Sequence, residues 1–344
     1  MIKDILNLNF SIKKGIDELF IHRLLFVLGK SFIAIFIPLY LHQVGFSAFT
    51  IIIFFLIYFS VSFVTSFPVA KLASTLGYRT SSMISIPILA CFYWFMRNLE
   101  PGNLNEVYTL AILGGLGLNM YWIGIHAELS QDSHDGKEGA ETGLFFSISS
   151  LAKIIAPVVG GFIISSLGFN LLFSIAVIIL VLSFLPFLYS REHHKGMELS
   201  LEKLVDKKHL KDFILFCFRG AINLGILVVW PLYLALVIGG AVNVGTSGSL
   251  RAVGVVIFSL LIGAQIDKGN DGKVLVYGGT IFAISWVLMS VVASPVQAFI
   301  ISLMNGLFSL ALKVPLRSQT LKESIKEDVL EYYAFREVGF AFGR

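Results

Sequence analysis

Lys30, Lys153 and Arg219 each stand inside a long apolar run of this sequence. A cation at the centre of an apolar helix costs at least ~2.5–3.5 kcal/mol, so each needs a reason to be there. The runs offer no Asp or Glu at mid-length to pair with them. Gathered around one space, the three would form an unneutralised positive site, whose natural ligand is a carboxylate or phosphate. Lys153 lies about ten residues into its run, or ~15 Å along a helix, near the middle of ~30 Å of hydrocarbon. Lys30 and Arg219 are shallower and can also reach an interface by extending their stems. Asn119 and Trp122 in one run, and Asn223 in another, add hydrogen-bonding groups and a stacking face. Such polar residues also join helices to one another. Lys30, Lys153, Arg219, Asn119, Trp122 and Asn223 are the expected substrate contacts. Arg97 and Arg251 read as interface anchors near outer helix ends.

The remaining chemistry argues against an enzyme. There is no His/Asp/Glu cluster with metal-ligand spacing and no Ser–His–Asp set within the apolar runs. His193 and His194 sit in a charged stretch and read as solvated linker. No Gly-x-x-x-x-Gly-Lys-Ser/Thr motif is present for direct use of ATP. No cofactor and no metal is expected. Cys91 and Cys217 lie within apolar runs and read as small packing residues.

The elements that carry these residues follow from composition. The 344 residues are 56% hydrophobic and only 14% charged, with a mean hydropathy of +0.83. A soluble domain could not bury that much apolar surface. The fold class expected is an all-α polytopic membrane protein whose partners are the lipid bilayer and a small-molecule substrate. Ten spans of ~20 residues are read, over 23–41, 49–70, 80–98, 107–127, 143–167, 169–190, 213–238, 249–266, 274–293 and 296–314. An eleventh begins near Tyr333. Loops 42–47, 99–106, 168, 239–248 and 294–295 would all lie on one side and carry no Lys or Arg. The opposite side holds Lys13, Lys14, Lys71, Arg79, Lys137, Lys208, Lys268 and Arg317. Basic loops face the cytoplasm, so the N-terminus is expected there, in the plasma membrane. The net charge of +4 comes from these loops and is no nucleic-acid signal. Residues 1–20 lack the pattern of a removable signal peptide. A polar stretch at 191–211 divides a six-span half (1–190) from a second half (212–344) that holds spans 7–10 and the start of the eleventh.

The halves repeat one another. Pro38-Leu39-Tyr40-Leu41 recurs as Pro231-Leu232-Tyr233-Leu234, and Glu141-Thr142-Gly143-Leu144-Phe145 as Glu331-Tyr332-Tyr333-Ala334-Phe335. The loop after span 8 carries Gly263, Asp267, Lys268, Gly272 and Lys273; its counterpart after span 2 keeps Gly77 and Arg79 but has Phe67 and Lys71 at the Gly and Asp positions. This pattern resembles the major facilitator superfamily, whose loop motif is Gly-x-x-x-Asp-Arg/Lys-x-Gly-Arg/Lys. Ala156-Pro157-Val158-Val159-Gly160-Gly161 is similar to that family's export motif, with Ala for its first Gly. The resemblance implies two six-helix bundles related by a pseudo-two-fold repeat, the second incomplete, rocking around a midplane site. It implies spans 1, 5 and 7 lining that site, and Lys71, Arg79, Asp267 and Lys268 acting in a cytoplasmic latch. With Lys in place of Asp at position 71, the first-half latch must differ or be absent. The family has twelve spans, so a C-terminally truncated chain is expected. The implied function is a secondary transporter of a small, anionic solute. The alternatives are an efflux carrier of amphiphilic compounds, suggested by Ala156–Gly161 and 31 phenylalanines, and a non-transporting remnant. The coupling ion is not signposted. Span 4 lacks the Arg of the antiporter branch, and no carboxylate within a span offers a proton relay. His126 sits at the cytoplasmic end of span 4.

Overall fold

A computed structural model describes residues 16–132, 138–189, 207–266, 271–324 and 329–344. Among these, the regular structure is helical. The helices are α1 (Ile16–Ile33), α2 (Ile37–Val44), α3 (Ala48–Leu76), α4 (Tyr78–Met96), α5 (Leu104–Asp132), α6 (Glu138–Leu167) and α7 (Phe169–Leu182). After the middle segment come α8 (Lys207–Leu224), α9 (Trp230–Tyr233), α10 (Ala241–Ile266), α11 (Asp271–Met289), α12 (Pro295–Ser324) and α13 (Val329–Gly343). Pro38 opens α2 after a 3-10 turn at Ala34–Phe36, so α1 and α2 act as one bent span. Pro231 sits in α9 between two π-helical turns, Gly225–Val229 and Leu234–Ile238, and joins them to α8 as one span. A proline has no N–H to give and its ring crowds the preceding turn, which is the cause of such irregularities.

By length and apolarity, six helices of the described residues can cross a membrane. They are Glu18–Val44, Ala48–Leu76, Leu104–Glu128, Ser149–Leu167, Phe169–Leu188 and Leu210–Ile238. Ala241–Ile257, Val276–Met289 and Pro295–Ala311 are shorter apolar helices. Helix α4, the expected third span, is absent from both groups; its first half carries Arg79, Ser81, Ser82 and Ser85, all buried. Large apolar side chains such as Phe49, Val64, Val287 and Val291 are instead about 70% exposed. A soluble surface does not spread apolar groups so widely; a lipid-facing one does. The chain is an all-α, multi-pass membrane protein.

Turns are short. Gly45 closes α2 at φ 105°, and Ser47 caps α3 by accepting the N–H of Thr50 at 3.1 Å. Gly239 and Gly240, both at positive φ, are the whole connection into α10. The expected loop 239–248 is therefore mostly helix, and the eighth span begins eight residues earlier than the sequence suggested. The expected linker 191–211 lies outside the described residues as far as 206, and from Lys207 it is the first turn of α8.

The internal repeat has a structural echo. Tyr40 donates its hydroxyl to the Met96 carbonyl at 2.6 Å, tying α2 to the end of α4. Its repeat partner Tyr233 donates to the Val292 carbonyl at 2.8 Å, just beyond α11. Helices α1, α6 and α7 pack together, as do α3, α4 and α5 in the first half and α10, α11 and α12 in the second. Two main seams join the halves, α6 against α10 and α13 against α3 and α5, with smaller contacts from the turn Ala34–Phe36 and α2 to the seventh span and α10.

The α6–α10 seam is backbone against backbone. A Cβ on Gly161 would lie 2.7 Å from the Ala241 carbonyl oxygen, and one on Gly245 would overlap the Pro157 carbonyl. The Val158 N–H donates to Ser249 Oγ at 3.0 Å. Gly161→Ala is expected to cost ~1–3 kcal/mol, the range for overpacking a close contact. The check is a lowered thermal unfolding midpoint of the purified protein in detergent.

Candidate functional site

Lys153 is exposed, which for a residue within a span means either lipid or an internal space. Helix geometry decides between them. Leu167, also exposed, ends α6; nearer Lys153, the apolar residues Leu151, Ile155 and Phe162 are each over half exposed. At 3.6 residues per turn, Lys153 lies about 160–180° around the helix from all three. It shares its face with Pro157, Gly160 and Gly161, which meet α10 and the first span. Lys153 therefore opens onto the space between the halves. Its ammonium lies within coulombic reach of Arg23 on α1 and Arg251 on α10.

Arg219 on α8 follows the same logic. It lies roughly 140–180° from the exposed Leu210 and Ile214. Its guanidinium sits over the Phe340 ring at 5.1 Å. Lys30 on α1 places Nζ 5.6 Å from the centre of the Trp122 ring, a cation–π contact. Around Lys30 lie the charges of Arg23, Lys153, Arg344 and Glu337, drawn from both halves. The three expected cations and Trp122 thus converge from α1, α5, α6 and α8.

Helix α13 adds charges that sequence reasoning missed. Glu337, only 7% exposed, bonds Arg336 Nη2 at 2.6 Å. It lies within coulombic reach of Lys30, Arg219 and Arg344. Arg344 sits over the Phe59 and Phe340 rings at 5.1 and 5.3 Å. The expectation that no carboxylate stands within a span is thus corrected. Glu337 stands in the eleventh helix, and Glu128 near the end of α5 is fully buried. Arg336 and Glu337 were legible only as a charged pair soon after Tyr333, in a run too short to be recognised as a full span.

Arg23 is another omission. Placed by the sequence at the mouth of span 1, it lies two turns into α1 and is 1% exposed. It donates to Ser149 Oγ at 3.0 Å and Tyr121 Oη at 3.1 Å, and lies 4.7 Å over Trp122. Trp122 continues a stack: its ring lies 5.2 Å from His126, and His126 5.2 Å from Tyr333, all nearly parallel. Arg336 closes the far end, 4.6 Å over Tyr333. The stack runs from α5 to α13 and so from one half to the other.

The other expected contacts lie elsewhere. Asn119 is buried and donates to the Ser62 carbonyl at 3.2 Å and Thr65 Oγ1 at 2.9 Å, which makes it a joint between α5 and α3. Asn223 is half-buried on α8, one turn beyond Arg219, and its Oδ1 is buried without a partner. Arg251 is no outer-end anchor. Because α10 starts at Ala241, it sits about three turns in, with Nε donating to Asn305 Oδ1 at 2.9 Å. Asn305 in turn donates to Ser285 Oγ at 2.9 Å. Of the latch residues, Lys71 is exposed in the last turns of α3. Arg79 is buried in an ion pair with Glu128, beneath the Phe187 ring at 5.5 Å, all within the first half. Asp267 and Lys268 lie outside the described residues. No group of three or more His, Cys, Asp or Glu side chains is placed to hold a metal among the described residues.

Breaking a buried ion pair strands a charge and costs about 3–5 kcal/mol, whereas replacing both partners by apolar groups is close to neutral. Glu128→Gln is therefore expected to lower the thermal midpoint sharply. The double variant Arg79→Met with Glu128→Met is expected to recover most of that loss in the same detergent assay.

Comparison with known proteins places this arrangement. The sequence profile of the Major Facilitator Superfamily matches residues 19–245. Among solved structures, one similar chain is a Major Facilitator Superfamily transporter, FucP, in the outward conformation. It has a TM-score of 0.67 at 16% identity, over 95% of this chain and 88% of that one. Another is a POT family transporter in complex with a thioalcohol-conjugated peptide. Its TM-score is 0.74 at 14% identity, over 97% of this chain and 90% of that one. At such identities the likeness is one of fold. Among curated proteins no relative matches in sequence.

Proposed function

The chain belongs to the Major Facilitator Superfamily, and we propose that it carries a small anion across the plasma membrane by alternating access. Membership makes it a secondary transporter and not an enzyme; the anion and the cycle are our reading. The observation that carries it is the charge balance between the halves. Lys30, Lys153, Arg219 and Arg344 approach one space, and among the described residues the acidic group that acts on Lys30, Arg219 and Arg344 is Glu337. An anion entering there gains charge-assisted hydrogen bonds without first having to displace water from every cation. Trp122, already stacked on His126, holds Arg23 and Lys30 beside that space.

In this reading 1–190 and 212–344 are the two bodies that rock, 191–211 joins them, and the N-terminus is cytoplasmic. The Arg79–Glu128 pair stiffens the loop after the second span. Lys71, Asp267 and Lys268 belong to the same face and act on its opening. Asn119 is left out of the binding site, since α3 uses its amide; Asn223 stays in it.

The competing reading, efflux of amphiphiles, rests on Ala156–Gly161. In this structure that segment makes the close approach to α10, a packing role that needs no particular solute. Purified full-length chain in vesicles, tested with radiolabelled organic acids and phosphate and with an amphiphilic dye, separates the two. Lys30→Met and Lys153→Met each remove a charged hydrogen-bonding group worth ~1.5–3 kcal/mol, so anion uptake is expected to fall at least tenfold while dye movement persists. Dye movement without anion uptake would favour the efflux reading. Imposed proton or sodium gradients in the same vesicles identify the coupling ion.

A further inference from the structure

We infer that the site has a second anion-binding point between Lys153 and Arg251, so that its substrate class is a solute with two separated acidic groups. This rests on the anion reading above and makes it more specific. The register of the α6–α10 seam sets the two side chains level. The helices run antiparallel, with Gly161 beside Ala241, Pro157 beside Gly245, and Val158 bonded to Ser249. One turn further along, Lys153 comes opposite the stretch that holds Arg251. The charge of Arg251 reaches Lys153 across the seam, from the other half.

Among the described residues, neither cation has its full set of partners. Arg251 spends Nε on Asn305, while Nη2 is buried with no hydrogen-bond partner. Lys153 is exposed to the internal space, and the charges that act on it, Arg23 and Arg251, are both positive. Two like charges held together in a poorly hydrated place repel unless an anion lies between them. The other cations differ in this respect. Lys30, Arg219 and Arg344 share the carboxylate of Glu337. There are thus two poles: one around Lys30 and Arg219 with an internal counter-charge, and one at Lys153 and Arg251 without. A solute that fills both needs two acidic groups joined by a spacer, such as a dicarboxylate or a phosphorylated acid.

The test is binding to the purified full-length chain, read by calorimetry. The probes are succinate, glutarate, adipate and 3-phosphonopropanoate, each set against the monoacid of the same length. The wild-type chain is expected to bind at least one two-headed probe tenfold or more tighter than its monoacid. In Arg251→Gln and, separately, Lys153→Met, that ratio is expected to fall to within threefold of one. Lys153→Met guards against misfolding of the first variant, because the Lys153 side chain is exposed. Equal wild-type affinity for monoacids and diacids, or a ratio that survives both substitutions, would overturn the second pole and leave the anion reading standing. Failure of every acid to bind the folded wild-type chain would overturn both.

Discussion

Positive charge held away from water is the condition that the rest of this molecule must meet. Arg23, Lys30, Lys153, Arg219 and Arg251 lie within apolar helices, Arg336 lies in α13, and Arg344 stands just past its end. Each has found a different settlement. Arg23 is absorbed by a serine, a tyrosine and a tryptophan face. Arg336 takes Glu337 and a tyrosine ring. Arg79, at the start of α4, takes Glu128. Lys30, Lys153 and Arg251 are left with less than they need, and they are the ones that look across from one half to the other. Hydrocarbon tolerates such groups only where protein or water surrounds them, so the helices are arranged to turn them inward.

That arrangement determines how the halves touch. Glycine and proline at the α6–α10 seam bring two backbones together with almost no side chain between them. The α5–α13 contact works by the opposite means, with stacked rings of Trp122, His126 and Tyr333 flanked by two guanidinium groups. A smooth seam allows tilting with little loss of packing. A stack of flat faces holds well in register and loses its contact once the rings part. The two seams therefore differ in how much relative movement they tolerate.

Much of this was legible in the sequence. Apolar run length marked a multi-pass, all-helical chain, and six of its helices are long and apolar enough to cross a membrane among the described residues. Lys153 was singled out by depth alone, and it lies on the face of α6 that also carries Pro157 and Gly160. What escaped notice depended on helix ends, which hydropathy marks poorly. Arg251 was misplaced because the helix continues through polar residues up to Ala241, where only Gly239 and Gly240 force a turn. Arg23 was misplaced for the same reason at Ile16. Glu128 fell one residue outside its expected span, and its importance comes from Arg79, a partner 49 residues away. Glu337 was hidden because two adjacent charges resemble a loop until their helix is seen packed against α3, α5 and α8.

The tyrosine hydrogen bonds at the two prolines bear on how such a repeat ages. Tyr40 and Tyr233 both reach for main-chain oxygen, not for a side chain. A peptide carbonyl is present whatever residue supplies it, so the receiving positions were at liberty to diverge after the ancestral unit was copied. They now hold Met96 and Val292, apolar residues of different length and branching. The donors had no such liberty, since only a phenol of that length spans the gap, and Pro-Leu-Tyr-Leu still reads alike in both halves. One side of each contact keeps the record of the duplication, and the other side has been allowed to forget it.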